Sequence, residues 1–233
     1  MIIEREGISG AERCECALAS RPQRVEEGAG IPPLYARASL DNFVIPADHP
    51  TARHSMANVL MQVKNFVREF PATDRTGLLL IGDPGTGKTH LAVAALRALI
   101  ARGFDGLFFD YQSLLDKIRS GYDAASGSSD KEAFRSALDA EILLLDDLGA
   151  HRVTEWVEDT VTSIITHRCN NRKPLIATTN LPDELVVDYK AGNTPVHKKT
   201  LGEVIGLRAR SRLHEMCRVI KMPAIEDYRL RRR

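Results

Sequence analysis

The residues best suited to chemistry lie in one short stretch, 78–90, which reads LLLIGDPGTGKTH. It contains the pattern G-x-x-x-x-G-K-[ST], preceded by an apolar run typical of a buried strand and followed by a run with helical character. Glycines let the backbone approach a polyphosphate closely, and the N-terminus of the following helix attracts the same anion. The stretch therefore predicts a nucleotide site formed by Gly82, Asp83, Pro84, Gly85, Thr86, Gly87, Lys88, Thr89 and His90.

Two side chains of this stretch have distinct predicted roles. We expect the Lys88 ammonium to neutralise the β- and γ-phosphate oxygens and the Thr89 hydroxyl to ligate Mg²⁺. A chance match in a loop is the alternative, and at ordinary glycine content the bare pattern should arise in about one chain in a hundred of this length. The strand before it and the helix after it make a chance match rarer still.

A second candidate site is the stretch 141–149, EILLLDDLG. Its continuous apolar run is typical of a central parallel strand that is covered on both faces, and ligands bind at the carboxyl ends of such strands. Asp146 suits the Mg²⁺ shell, through a water molecule, and Asp147 is then free to orient and deprotonate an attacking water. An acidic pair after a strand is weak evidence alone, but together with the phosphate loop it indicates hydrolysis of a nucleotide.

Polar residues that could complete the site come later in the chain. Asn180 ends the strand-like run 173–180, where it could hydrogen-bond the attacking water or a γ-phosphate oxygen, although such an Asn is more often a turn residue. The helical run 207–216 carries several arginines, and an arginine can stabilise charge that develops on the transferring phosphoryl group. Spacing alone does not select one of them.

The elements that position these residues alternate between apolar runs and helical patterns. Such alternation predicts an α/β fold with a doubly wound parallel sheet, here of five strands. We expect an ATPase domain over 39–233, preceded by a short arm over 1–38 that could bind a partner. In the arm, Cys14 and Cys16 form half of a zinc pattern, and a tetrahedral site needs four ligands, so free thiols are the favoured interpretation.

Composition excludes some classes of protein. The 233 residues are 43% hydrophobic and 27% charged, which is ordinary for a globular protein. No apolar run approaches the roughly 20 residues of a membrane span, and the N-terminus has no signal-peptide pattern. Four cysteines form no disulfide framework, so we expect a cytoplasmic protein.

Four motifs in order carry a family resemblance: GDPGTGKT, LLLDDLG, PLIATTN and RARSRLHEM. With GIPPLYARASLDNF upstream and EDYR near the end, the chain resembles the AAA+ P-loop ATPases of the DnaC/DnaI helicase-loader family, relatives of the initiator DnaA and the transposition helper IstB. The resemblance makes Lys88 and Thr89 the Walker A pair and Asp146 and Asp147 the Walker B pair. It also implies four catalytic residues, namely Asp147, Asn180 as sensor 1, Arg212 as an arginine finger that reaches a neighbouring subunit, and Arg229 as a sensor 2-like arginine.

The resemblance further implies partners and an activity. It points to ATP and Mg²⁺ as cofactors, to slow, DNA-stimulated ATP hydrolysis, and to delivery of the hexameric replicative DNA helicase to single-stranded DNA by an ATP-dependent homo-oligomer. Lys117 and Arg119 fall in the segment that contacts DNA in the family. A substantial C-terminal lid domain is not expected. The alternatives are an IstB-like helper of a DNA transposase and an ATP-switched adaptor with little turnover.

Overall fold

The computed structural model of the chain describes residues 3–5, 8–10, 21–45, 50–72, 74–120, 130–185, 187–190 and 194–231, so that Cys14 and Cys16 lie outside the described residues. The strands are β1 (Ile3–Arg5), β2 (Ile8–Gly10), β3 (Gly77–Ile81), β4 (Gly106–Asp110), β5 (Ile142–Asp146), β6 (Leu175–Thr179), β7 (Val187–Lys190), β8 (Thr194–His197) and β9 (Cys217–Lys221). The helices are α1 (Arg21–Gly28), α2 (Pro50–Glu69), α3 (Lys88–Ala101), α4 (Tyr111–Ser120), α5 (Asp130–Asp139), α6 (Glu155–Asn170), α7 (Leu201–Ile205), α8 (Leu207–Met216) and α9 (Tyr228–Arg231). None of these helices is both long enough and apolar enough to cross a bilayer.

Five strands form the central sheet, in the order β4-β5-β6-β3-β9, and every neighbouring pair is parallel. Leu78 in β3 lies opposite Ile176 on one side and Arg218 on the other. Parallel neighbours require crossover connections, and helices make these crossovers here. The sheet confirms the predicted α/β fold and its five parallel strands.

Apolar residues alternate between the two faces of this sheet, which explains why the strands read as continuous apolar runs. Leu78 and Leu80 pack on one face with α1, α2 and α3, whereas Leu79 and Ile81 pack on the other face with α4 to α8. A strand that is covered on both sides needs an apolar residue at every position rather than at every second one. One hydrophobic core therefore packs on each face of the sheet, and together the two cores fix the positions of the strand ends.

The N-terminal part of the described chain packs against the first of these cores. Ala29 and Ala38 are buried, and the Phe108 amide of β4 donates to the Ala29 carbonyl at 2.7 Å. Glu26 on α1 pairs with Arg97 on α3, with 2.6 Å between Oε1 and Nε. Residues 25–38, which the sequence placed in the arm, therefore pack with the α/β core.

After β6, the described chain adds a small hairpin, two helices and the edge strand β9. Between β6 and α7 lies the antiparallel pair β7 and β8, which the sequence pattern did not predict. Beyond β9, the described residues up to 231 contain the four-residue helix α9 and hold no lid domain. The segment after β9 returns to the phosphate loop, where the Tyr228 amide donates to the Gly85 carbonyl at 3.1 Å.

A buried arginine, Arg168, ties the second core together. Its guanidinium donates to the carbonyls of five residues at distances from 2.6 to 3.3 Å, namely Ala137, Leu138, Ala140, Glu141 and Pro174. Two of these carbonyls belong to the end of α5, whose last carbonyls have no partner within the helix. Burial lowers the pKa of Arg168 to about 10, so that the side chain remains charged at neutral pH.

Replacing Arg168 by methionine should destabilise the protein strongly. The change keeps an apolar stem but leaves buried carbonyls without donors, and we expect a loss of about 2–4 kcal/mol in the free energy of unfolding. Urea unfolding followed by circular dichroism measures the loss. As a control, Arg68→Met removes an exposed helical arginine and should change the free energy of unfolding by less than about 0.5 kcal/mol. Equal stabilities of the two variants would contradict the structural role of Arg168.

Candidate functional site

The phosphate loop, residues 82–89, lies between the end of β3 and the start of α3. Gly85 and Gly87 adopt positive φ angles of 76° and 92°, a region that glycine enters without strain. A Cβ on Gly87 would lie 2.7 Å from Phe43 Cε2, and one on Gly85 would overlap the Asp227 carboxylate. Glycines are therefore required here both for the turn and for the close approach of neighbouring segments.

Lys88 is almost fully buried, with 5% of its surface exposed. Its Nζ donates to the Asp83 carbonyl at 2.8 Å, and the Thr86 hydroxyl donates to the same oxygen at 2.8 Å. Burial lowers the pKa of Lys88, although the carboxylates of Asp147 and Asp146 act in the opposite direction. A buried ammonium at a helix N-terminus is costly unless it is paired, and a polyphosphate would supply the missing negative charge.

A hydroxyl that the sequence analysis missed connects the Asp146 carboxylate to the backbone amide of Asp147. Thr178 in β6 donates through Oγ1 to Asp146 Oδ1 at 2.6 Å and accepts a hydrogen bond from the Asp147 amide at 2.9 Å. Burial raises the pKa of Asp146, while the hydrogen bonds from Thr178 and Thr89 lower it in part. The neighbouring strand thus holds the acidic pair in place. The only sequence signal for Thr178 is its position near the end of a predicted strand.

The structure places Asn180 in contact with Asp147. Asn180 Nδ2 donates to Asp147 Oδ1 at 3.0 Å. Asp147 adopts a φ of 55°, which is uncommon for a residue other than glycine, and such strained positions concentrate at functional sites. The next residue is anchored to β6, because the Leu148 amide donates to the Thr178 carbonyl at 2.7 Å. The Asp147 side chain therefore has a defined orientation at the edge of the sheet.

A third carboxylate, Asp110, also lies at this edge. Strand register pairs Asp110 at the end of β4 with Asp146 at the end of β5. Its Oδ1 accepts hydrogen bonds from the Ser113 amide at 2.8 Å and the Ser113 hydroxyl at 2.7 Å, so that it caps the first turn of α4. Its negative charge contributes to the raised pKa of Asp146. The sequence contained a signal for it, since an aspartate ends the apolar run GLFFD.

A partly open apolar cleft adjoins the phosphate loop. Phe43, Val44, Met56 and Tyr228 contribute apolar surface to it. His90, predicted as part of the site, lies at its edge, with its ring 5.5 Å from that of Phe43 and its Nε2 3.1 Å from the Ser39 carbonyl. The position of the cleft beside the phosphate loop makes it a candidate site for the base of a bound nucleotide. The cleft is built from segments far apart in sequence, which is why the motif analysis missed it.

The two predicted arginines lie in different places. Arg229 Nε is 3.2 Å from Asp227 Oδ1, and its charge helps to lower the pKa of Lys88, so that it lies near the phosphate loop. Arg212 lies on α8, across the sheet from α3, where its Nη1 is 2.6 Å from Glu215 Oε2. This arrangement brings Arg229, but not Arg212, to the site of its own chain.

The predicted DNA contacts, Lys117 and Arg119, lie in the exposed last turn of α4. The Lys117 Nζ is 5.6 Å from the centre of the Phe109 ring, an arrangement typical of a cation–π contact. Both residues directly precede the segment 121–129, which lies outside the described residues.

The residues present fit a bound Mg²⁺. Among the described parts of the chain there is no cluster of three or more His, Cys, Asp and Glu side chains that could hold a metal ion without help. Mg²⁺ does not need one, because it keeps several waters and is usually bound by one or two protein groups together with substrate phosphates. Asp146 and Thr89, whose hydroxyl helps to lower the pKa of that carboxyl, could supply such a pair.

Comparison with known proteins identifies the family. Residues 61–189, more than half of the chain, match the family described as IstB-like ATP binding protein. The chain belongs to this family. The predicted resemblance to AAA+ ATPases is thereby confirmed, together with the coarser expectation that the chain is an ATP-binding protein.

Relatives extend the similarity to helicase loaders. The chain is 25% identical over 214 residues to the uncharacterized protein YqaM of Bacillus subtilis strain 168, covering 89% of this chain and 61% of that protein. It is 24% identical over 162 residues to the replicative helicase loader DnaC of Escherichia coli strain K12, covering 70% of this chain and 63% of DnaC. The chain thus spans about three-fifths of these relatives. A crystal structure of the DnaC helicase loader superposes with a TM-score of 0.65 and 28% identity, covering 82% of this chain and all of that one.

Replacing Asp146 by asparagine should stabilise this IstB-like chain in the absence of nucleotide. Because burial raises the pKa of the folded carboxyl above its unfolded value, the ionised form at neutral pH lowers the free energy of unfolding. We therefore expect a melting temperature a few degrees higher for Asp146→Asn at pH 7. The difference should begin to shrink as the pH falls through the folded pKa and should vanish below the unfolded pKa, where the carboxyl is protonated in both states. Scanning fluorimetry at several pH values measures this.

The same variant should lose the extra stabilisation that Mg²⁺ gives to the ATP-bound protein, since a metal partner is removed. Asp159→Asn, which neutralises an exposed carboxylate on α6, is the matched control and should change neither property. A lower melting temperature of Asp146→Asn without nucleotide would contradict the prediction.

Proposed function

We propose that this chain is an ATP-hydrolysing loader that delivers the hexameric replicative DNA helicase to single-stranded DNA. The observation that supports hydrolysis best is the chain of hydrogen bonds from Asp146 through Thr178 to Asp147 and on to Asn180, beside the buried Lys88. The loader role is supported by the similarity to DnaC in sequence and in structure.

Each residue has a part in the proposed reaction. The phosphate-loop amides and Lys88 hold the β- and γ-phosphates, and the apolar cleft beside Gly85 receives the base. Asp147 accepts a proton from the attacking water, while Asn180 holds the carboxylate in position and offers a donor to the water or the γ-phosphate. Mg²⁺, held by Thr89 and by Asp146 through water, would supply positive charge that neutralises the phosphate oxygens.

A second subunit completes the proposed site. Arg212 would exchange its exposed partner Glu215 for the γ-phosphate bound by a neighbouring copy of the chain, and would stabilise the charge developing there. Arg229 would act on the nucleotide of its own chain, after leaving Asp227. ATP thus favours a homo-oligomer assembled on helicase and DNA, and hydrolysis to ADP releases the helicase.

A different partner is favoured by the family description, since IstB-like ATP binding proteins form the matching family. On this alternative the same ATPase core would assist a DNA transposase. A third possibility is an adaptor that binds ATP as a switch and turns over very slowly. Steady-state ATP hydrolysis with and without single-stranded DNA separates the adaptor from both ATPases, because DNA should not raise the very slow hydrolysis by an adaptor.

Light scattering tests the loader directly. The purified chain is mixed with the replicative helicase of its source organism in the presence of ATP or ADP, and we expect a complex whose mass depends on the nucleotide. Lys88→Ala should abolish that dependence, because the phosphates lose their buried positive charge. Lys64→Ala, which removes an exposed lysine from α2, should behave like the wild type. The absence of any complex in both nucleotides would contradict the loader role and favour the transposase, to be tested next by a pull-down.

The proposed DNA contact makes a separate prediction. Replacing Lys117 and Arg119 together by glutamine should weaken binding to single-stranded DNA at all sequences, because phosphate contacts carry no sequence information. Each lost contact should reduce the slope of log K against log salt by about 0.7, so the double variant should lose about 1.4. Fluorescence anisotropy with a labelled oligonucleotide measures both. The matched pair Lys64→Gln and Arg68→Gln on α2 should leave the slope unchanged, and an unchanged slope for Lys117 and Arg119 would refute their role.

A further inference from the structure

A buried carboxylate, Asp183, connects the loop after Asn180 to helix α8, which carries Arg212. We propose that Asp183 and Arg210 form a clamp that positions Arg212 for the nucleotide of a neighbouring subunit. The inference rests on the proposed function, in which Arg212 acts between subunits. It adds two positioning residues, Asp183 and Arg210, that no motif in the sequence assigns.

The geometry of the clamp is well defined. Arg210 donates to Asp183 through two bonds, Nε to Oδ1 at 2.6 Å and Nη2 to Oδ2 at 2.9 Å. The side chain of Asp183 is only 6% exposed, and His214 Nε2 lies 3.1 Å from its Oδ1. A two-point attachment of guanidinium to carboxylate fixes direction as well as distance. Helix α8 is therefore held in one orientation relative to the loop.

Helix periodicity separates the clamp from Arg212. Arg210 and His214 are four residues apart and share one face of α8, and both reach Asp183. Arg212, two residues from each, projects from roughly the opposite side of the helix, where it meets Glu215. The clamp thus holds α8 without engaging Arg212, which is half-buried beside Glu215 and Cys169 of its own subunit.

Electrostatics favours a permanently closed clamp. Burial raises the pKa of Asp183, but the hydrogen bonds from Arg210 and His214 outweigh this effect and lower it overall. The carboxylate therefore stays ionised. The Asp183 side chain is enclosed whereas that of Arg210 is one-third exposed, so removing Arg210 leaves an enclosed carboxylate without its main partner.

Two glycines leave room for close packing around α8. A Cβ on Gly202 in α7 would lie 3.0 Å from Arg210 Cδ, so the arginine stem runs directly along α7. Gly206, between α7 and α8, has a φ of 85°, and a Cβ there would lie 2.5 Å from Glu158 Oε1 on α6. Helix α8 is consequently fixed against α6 and α7 as well as against the loop.

The other end of the loop is tied to the hydrolytic residues. Asn180 bonds Asp147, and the Thr179 hydroxyl donates to the Leu148 carbonyl at 2.7 Å and accepts from the Leu181 amide at 3.1 Å. Asp183 follows three residues after Asn180. The clamp therefore fixes the position of Arg212, which is proposed to act on the neighbouring subunit, relative to Asp147 and Asn180 of its own subunit.

A mixing experiment separates positioning from folding. Lys88→Ala subunits bind no ATP but offer an intact Arg212, whereas Arg212→Ala subunits bind ATP but offer no arginine. Each should be inactive alone, and their mixture on single-stranded DNA should regain ATP hydrolysis. Adding Asp183→Asn or Arg210→Gln to the Lys88→Ala subunit should lower the regained rate at least about tenfold, because a displacement of about 1 Å can cost about 100-fold. Adding the same change to the Arg212→Ala subunit should leave most of the rate.

Controls make every outcome informative. Glu184→Gln, next to Asp183 but exposed and paired with Lys221, should leave the regained rate unchanged in either subunit. If Asp183→Asn prevents folding, Arg210→Lys decides, since lysine keeps the charge but lacks the second bond and should still lower the rate in the donor subunit. Equal losses in both placements, or no loss in the donor, would overturn the clamp. If the parent mixture regains no activity, Arg212 does not act between subunits, and the trans arrangement and the clamp are both wrong.

Discussion

The burial of opposite charges at the edge of an apolar sheet is the constraint on which this molecule depends. Lys88 and Asp146 are both nearly inaccessible to solvent. Burial lowers the pKa of Lys88 and raises the pKa of Asp146, so it disfavours the charged form of each. Charges in such a position are tolerated only where hydrogen bonds and opposite charges compensate them. The Asp83 carbonyl and the Thr178 hydroxyl compensate in part. A polyphosphate with Mg²⁺ would complete the compensation, so the same burial that destabilises the free protein favours ligand binding.

Rigidity at this edge comes from the sheet rather than from the loops themselves. Hydrophobic side chains pack against both faces of the strands, and backbone hydrogen bonds join the ends of neighbouring strands. Asp147 can therefore keep a positive φ that an unsupported loop would relax. On the second face of the sheet, the Arg168 guanidinium joins the end of α5 to the residues just before β5 and β6. Contacts far from Asp146 and Asp147 thus help to keep this acidic pair in its observed position.

The site also has an outward connection. The loop after β6 bonds the hydrolytic residues at one end and α8 at the other, through Asn180 and Asp183. The residues proposed to serve one subunit's nucleotide and the residue proposed to serve the next subunit's are thereby linked through one loop. A protein that assembles through its nucleotide sites needs such a connection, because a misplaced arginine contributes little to a transition state.

Local sequence determined a large part of this protein. The phosphate loop, the acidic pair, Asn180 and the five strands could be predicted because their signals are short-range: glycine spacing, apolar runs and the polar residues that end them. Tertiary structure alone decided the rest. Thr178 bridges Asp146 and Asp147, and Asp183 pairs with Arg210. Phe43 and Tyr228 line one cleft, and residues 25–38 pack on the core. Each of these contacts joins segments that are far apart in the chain. No periodicity of one segment encodes which distant segment it will meet, because strand order and helix packing decide that only when the whole sheet is formed.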